Sequence, residues 1–318
     1  MEILIVTPAP SGSQKGNRVT ALRWARLLRE LGHGVGIEVE YAGQAADLLV
    51  ALHARRSFPS VERYHGEHPE RPLLVALTGT DVYGDIHTSA EARQSLEWAT
   101  RLLALQPEAA RELPLPLREK VRVIFQSAEP PPEPLPPRDD VFQVCVLGHL
   151  RPVKDPFRAA EAARLAPATS RLLVVQVGAA LSEDMAAAAT AEAAANPRYR
   201  WLGELPREEA LQVLSESSLL VLTSELEGGA NVVSEALAAG APVISSHIAG
   251  SVGILGAEYP GYFPVGETAA LADLLRRAET DPHFYGELKA HCDRLSPLVS
   301  PDRERETWRR LLEELALP

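Results

Sequence analysis

Residues 219–240 read LLVLTSELEGGANVVSEALAAG. An apolar run at Leu219–Thr223 has the length and composition of a buried strand. A polar, glycine-bearing turn follows. From Asn231 to Ala239 the apolar residues recur with helical spacing until Gly240, where a glycine suits a helix C-terminus. A strand, a glycine-rich loop and a helix in that order form half of a βαβ unit, and Pro242–Ser245 supplies the next strand. A buried strand feeding a helix belongs to a parallel sheet covered on both faces.

The same alternation extends outward in both directions. Before residue 130 it predicts strands at Ile3–Thr7, Asp47–Leu52, Leu73–Leu77, Arg101–Leu105 and Val121–Phe125, and an amphipathic helix at 17–31 with Asn17 as N-cap and Gly32 at its end. Residues 129–140, EPPPEPLPPRDD, hold six prolines within eight positions and can be neither helix nor central strand, so they read as a stiff connector. Beyond them the pattern restarts, with strands at Phe142–Leu147, Leu172–Val177 and Tyr199–Leu202 and helices at Asp155–Arg164 and Ser182–Ala195. The expected fold class is α/β: two Rossmann-like doubly wound domains, 1–137 and 138–301, facing a cleft, with a last charged helix near 302–318.

In such sheets ligands bind beyond the C-terminal ends of strands, and four segments there carry chemistry. Glu227-Gly228-Gly229-Ala230-Asn231-Val232 leads into a helix whose first amides lack intrahelical partners and can hold an anion. Glu235 lies eight residues after Glu227, about two helical turns on, so both carboxylates can face one ligand. The spacing also fits a plain helix start with Glu235 solvated. Gly148-His149-Leu-Arg151-Pro-Val-Lys154 follows the first strand of the second half. Gly148 permits a sharp turn, and Arg151 and Lys154 can converge on one diphosphate, although solvated surface cations are the commoner fate of both residue types. In the first half, Gly12, Lys15, Gly16 and Asn17 occupy the loop after the first strand, matching neither a G-x-G-x-x-G fingerprint nor a P-loop. His53 and Arg55 follow a strand, as do Thr80 and Asp81. The histidine can orient an acceptor or serve as a base, or be a satisfied structural residue.

Composition sets the bounds. A 318-residue chain with 46% hydrophobic and 24% charged residues supports two cores. The net charge of −11 argues against nucleic acid as a partner, and lysine occurs at four positions, 15, 120, 154 and 289. The apolar start, MEILIVTPAP, reads as a strand and not as a signal peptide, and no stretch of the sequence suits membrane insertion. The two cysteines, Cys145 and Cys292, suggest neither a disulfide framework nor a metal site, so a cytoplasmic location is expected. No spacing of ligands suggests a metal, and none is expected as a cofactor. The pattern specifies no oligomeric state.

Together these motifs resemble the retaining GT4-type glycosyltransferases of GT-B fold. Glu227–Glu235 resembles their Glu-x7-Glu motif, which implies that Glu227 contacts the donor sugar and Glu235 the ribose. Gly148–Lys154 resembles their G-R-L-x-x-x-K loop, with His149 in place of the usual arginine and Arg151 two residues on. The resemblance also implies nucleobase recognition by backbone near Trp201–Leu205, including Leu205. It implies as well that the last helix crosses back to the first domain. A narrower resemblance spans nearly the whole chain. GSQKGNRVTALRWARLL, LLVALHARRS, ALTGTDVY, FQSAEPPP, VLGHLRPVKDPFRAA, LEGGANVVSEALAAG and PGYFPVG are similar to the selenosugar synthases of selenoneine biosynthesis. That implies selenophosphate as acceptor, a UDP-sugar such as UDP-N-acetylglucosamine as donor, and a 1-selenosugar, UDP and phosphate as products. On this reading Arg151, Lys154 and Glu227 are catalytic, while Gly12, Lys15, Gly16, Asn17, His53, Arg55, Thr80 and Asp81 hold the acceptor. Retention is the habit of the broader group, whereas in-line attack by selenium would invert. A transferase with a hydroxyl acceptor fits the broad motifs equally, and a nucleotide-sugar-binding module without activity is a further alternative.

Overall fold

The computed structural model describes residues 1–13, 16–79 and 81–316. The chain divides into two compact units, Met1–Gln126 with Pro301–Pro318, and Ser127–Ser300. The proline-rich stretch belongs to the second unit.

Among the described residues the first unit holds a six-stranded sheet of β1 (Glu2–Val6), β2 (Gly34–Glu38), β3 (Leu48–Leu52), β4 (Leu73–Leu77), β5 (Arg101–Ala104) and β6 (Val121–Val123), in the order β2-β1-β3-β4-β5-β6. Every adjacent pair is parallel. Side chains alternate across a strand, and here the alternation builds two cores. Ile3, Ile5, Leu48, Val50 and Leu52 face one side with Trp24, Leu28, Trp308 and Leu311. Leu4, Val6, Leu49 and Ala51 face the other with Val61, Tyr64 and Leu96.

The second unit repeats the plan with β7 (Phe142–Leu147), β8 (Leu172–Val177), β9 (Tyr199–Trp201), β10 (Leu219–Leu222), β11 (Val243–Ser246) and β12 (Tyr262–Phe263), in the order β12-β11-β10-β7-β8-β9. Its pairs are parallel as well. The order of strands reverses between β1 and β3 in one sheet and between β7 and β10 in the other. Each reversal opens a crevice at the C-terminal edge, because successive crossovers leave toward opposite faces there. Cys145 and Cys292 are both free and buried, and burial pushes the Cys145 thiol up to about 12.

The structure departs from the sequence expectation at a few places. The apolar-run reading passes over β2 and β12, both edge strands: GVGIE carries two glycines and is largely exposed, and β12 has two residues. The first helix spans Gly16–Glu30, so Asn17 lies in its first turn and not at the cap. Its end matches the expectation: Gly32 has φ 89° and the His33 amide donates to Leu28 O at 3.2 Å. The helix expected from Asp155 begins at Arg158. Pro152–Lys154 form a 3₁₀ turn and Asp155 sits at φ 43°, a left-handed conformation that ends the turn before the helix can start.

The last helix, Pro301–Ala316, packs on the first. The Trp24 and Trp308 rings meet edge-on with centroids 5.1 Å apart. Beside them Glu304, 1% exposed, accepts from Trp24 Nε1 at 2.8 Å and pairs with Arg23 at 3.0 Å. At the other end of the helix Glu314 accepts from Arg101 Nε at 2.8 Å and from Arg122, two arginines of adjacent strands. Replacing Glu304 by alanine removes the ion-pair partner of a largely buried guanidinium and leaves an indole N–H unsatisfied, and is expected to cost about 2–4 kcal/mol in denaturant unfolding, with Gln intermediate. The Arg122 hydrogen bond lowers the Glu314 carboxyl from 4.5 to about 2. A depressed carboxyl stabilises the native state above its unfolded value, so this contribution is fully present above about pH 4.5 and disappears as pH falls toward 2. Glu314→Gln is therefore expected to flatten the acid limb of a stability–pH curve in that window and to leave its slope near neutrality unchanged.

Candidate functional site

In the second unit the crevice is built by the loops that leave β7 and β10. The β7 loop and the adjacent β8 loop are turned by special backbone: Gly148 has φ 156°, and Gly178, after β8, has φ 148°. A Cβ on Gly178 would lie 2.1 Å from Gly148 O and 2.8 Å from the His149 amide, so only glycine lets the β8 loop close on the β7 loop. His149 Nδ1 accepts from the Ala179 amide at 3.3 Å, and Trp201 Nε1 donates to Gly178 O at 2.9 Å. His149 thus holds the neighbouring loop. Leu205 packs its side chain against the core beside β8.

The β7 and β10 loops are joined directly. Thr223 Oγ1 donates to Lys154 O at 2.8 Å, and the Glu225 amide donates to Val153 O at 2.9 Å. The Lys154 ammonium forms an ion pair with Glu227, which also accepts from Ser224 Oγ at 2.7 Å. Two residues singled out separately in the sequence are therefore one charge pair, with side chains 23% and 12% exposed. Arg151 is exposed, and no side-chain partner engages it among the described residues. Glu227 is backed by the helix Ala249–Leu255, where a Cβ on Gly250 would lie 2.2 Å from Glu227 O.

Gly228, Gly229 and Ala230 lead into the helix Asn231–Ala239, whose N-cap Ala230 offers no side-chain cap. Its dipole favours an anion at that end. Val232 is half-buried in its first turn. Glu235, 6% exposed, is held by Arg207 Nη1 at 2.6 Å. The sequence reading missed Arg207, Gly178 and Gly250. The two glycines carry no signal beyond being glycines after strands.

In the first unit the crevice lies between the ends of β1 and β3. His53 stands directly after β3 with φ 78°, an uncommon conformation for a side-chain-bearing residue, and is 3% exposed. Its Nδ1 accepts from the Arg56 amide at 3.3 Å, which places the ring proton on Nε2, 3.7 Å from Asp85 Oδ2. Burial lowers the His53 pKa below 6.5, so the ring is neutral near pH 7. Arg55 Nε pairs with Asp85 Oδ1 at 2.9 Å. Asp81 is fully buried, and its carboxylate accepts from the amides of Ala54, Thr78 and Gly79 at 2.8–3.3 Å. It shapes the two loops and has no face toward solvent. Gly12, with φ 79°, is exposed beyond β1, and Gly16 and Asn17 open the first helix. Lys15 and Thr80 lie outside the described residues. Three polar atoms on this side are buried without a hydrogen-bond partner: Arg18 Nε, Thr78 Oγ1 and Asp85 Oδ2. Buried polar groups are almost always satisfied, so each of these atoms calls for a partner. Arg18 and Asp85 were not legible in the sequence, because each gains meaning only beside its spatial neighbours.

Among the described residues no group of three or more His, Cys, Asp or Glu is placed to hold a metal, and no helix is long and apolar enough to cross a membrane. No curated protein matches the chain by sequence. Solved structures match it along its whole length. Anabaena HepE in complex with UDP and glucose has a TM-score of 0.78 at 17% identity, covering 99% of this chain and 100% of HepE. The sucrose-phosphate synthase of Thermosynechococcus elongatus has 0.75 at 14%, covering 99% and 98%. The lipopolysaccharide outer core galactosyltransferase WaaB has 0.70 at 13%, covering 99% of each chain. The fold is that of the GT-B glycosyltransferases. The family of group 1 glycosyl transferases matches residues 129–295, the span that contains Lys154, Arg207, Glu227 and Glu235, and the chain belongs to that family.

Proposed function

We propose that this glycosyltransferase takes its sugar from a UDP-sugar, UDP-N-acetylglucosamine first among candidates, and transfers it to selenophosphate. The observation that carries the donor half is the Lys154–Glu227 pair at the reversal point of the second sheet. An ammonium, the exposed Arg151 guanidinium and a helix N-terminus lie on the two loops of one strand-order reversal, a combination suited to a diphosphate. HepE, of the same fold, is described in complex with UDP-glucose, which supports a UDP donor here.

On this reading the diphosphate attracts Lys154, and Glu227 turns from the ammonium to a sugar hydroxyl. Charge on the departing UDP oxygen grows as the C1–O bond breaks, and Lys154 and Arg151 stabilise it most at that point. Selenium attacks C1, forming the C–Se bond as UDP leaves with the electron pair. One water then cleaves the Se–P bond to release phosphate.

Support for the acceptor comes from the near full-length resemblance to selenosugar synthases and from the first-unit cluster. Selenophosphate is small, highly charged and already nucleophilic, so it calls for cationic and N–H donors more than for a strong base. His53 Nε2–H, Arg55 and the unpartnered Arg18 Nε are such donors. Lys15, Gly16 and Asn17 are assigned to the same subsite. No resident cofactor or metal is invoked.

The deciding assay is an anaerobic incubation with UDP-N-acetylglucosamine, with and without enzymatically generated selenophosphate, read by UDP release and mass spectrometry. Selenium-dependent UDP release with a selenosugar mass is expected. Turnover with a hydroxyl acceptor and none with selenophosphate would replace this reading with that of an ordinary sugar transferase. Under the productive condition, Lys154→Ala is expected to lower kcat by about 10²–10³-fold. A loss confined to KM would place Lys154 in ground-state binding alone.

A further inference from the structure

Arg207 is the first residue of the helix Arg207–Ser215, which follows β9 through Pro206. A cation at a helix N-terminus opposes the dipole, so helix stability does not account for it there. Its first-turn neighbours, Glu208 and Glu209, do not hold it. It reaches instead to Glu235 on another helix, 28 residues away, at 2.6 Å. The two ends of this pair differ sharply in environment: the Arg207 side chain is 52% exposed and that of Glu235 is 7% exposed. A carboxylate so far out of water needs a counter-charge or a full set of donors to stay ionised. Among the described residues Arg207 is its one ion-pair partner, and the bond is to Oε1 alone. Oε2 is left as an acceptor. The carboxylate lies close enough to β7 to contribute to the raised pKa of Cys145, which sets it over the sheet and not out at the surface.

Building on the UDP-donor reading above, we propose that Arg207 is the positioning residue of the nucleotide subsite. It fixes the Glu235 carboxylate through Oε1 and turns Oε2 toward the ribose hydroxyls, so that recognition of the ribose depends on a residue that touches no part of the nucleotide. The geometry makes the dependence one-directional. Without Arg207 the carboxylate is free to rotate toward water, and it loses its fixed aim as an acceptor for a hydroxyl.

The test compares binding of UDP with that of 2′,3′-dideoxy-UDP, by calorimetry, to the wild-type chain, Arg207→Leu and Arg207→Lys. Charge-assisted hydrogen bonds to the ribose are expected to make the wild type prefer UDP by about tenfold or more. Arg207→Leu is expected to bring that ratio within about threefold, with dideoxy-UDP bound almost as before, and Arg207→Lys to restore most of it. A merely structural Arg207 would weaken both nucleotides alike and leave the ratio intact, and that result overturns the proposal. A wild type that binds UDP without preferring it to the dideoxy form also overturns it, while leaving the donor assignment standing. Failure of the wild type to bind UDP at all removes the donor reading and this inference with it. Circular dichroism of each variant separates loss of fold from loss of discrimination, and Arg207→Gln, neutral but still a donor, replaces the leucine variant if that chain does not fold.

Discussion

The crevice of the second unit depends on two hydrogen bonds between loops that are far apart in sequence: the Thr223 hydroxyl Oγ1 to Lys154 O, and the Glu225 amide to Val153 O. Parallel strands send every C-terminal loop to one edge of the sheet, and β7 and β10 are neighbours with their crossovers leaving in opposite senses. Two loops therefore meet at the reversal with unpaired main-chain groups, and they satisfy each other. Lys154 and Glu227 ride on those loops, so their encounter follows from the backbone and not from mutual attraction alone.

The pairing also bears on energetics. The Lys154 ammonium is compensated by the Glu227 carboxylate, whereas Arg151 has no side-chain partner among the described residues. A partly buried pair of this kind contributes little net stability, because desolvation offsets much of the Coulomb gain. The Glu235–Arg207 pair follows the same rule with a deeper carboxylate and a more exposed cation.

The first unit solves a different problem. Its polar cluster contains a strained His53, a carboxylate at Asp81 spent wholly on amides, and buried polar atoms of Arg18, Thr78 and Asp85 with no hydrogen-bond partner. Asp81 holds the β3 and β4 loops, and the strain at His53 is supported by that anchoring. The helix Pro301–Ala316 belongs to this unit through the Glu304 and Glu314 contacts, although it lies at the far end of the chain.

The strand–loop–helix character of 219–240, the restart of the pattern after the prolines and the paired Glu227–Glu235 spacing were all legible in the sequence. Each is a local matter of apolar period, turn residues and helix ends, written within about two dozen residues. The strands that escaped were edge strands, where half-exposed or two-residue segments carry no apolar run. Tertiary structure alone decided the rest. It turned Lys154 and Glu227, 73 residues apart, into an ion pair, and brought Arg207 to Glu235. It withdrew Asp81 from solvent and gave His149 to the neighbouring loop. It made Gly178 indispensable by pressing one backbone against another. These are properties of which strands lie side by side, and strand order is set by the packing of whole elements, which no local stretch of sequence encodes.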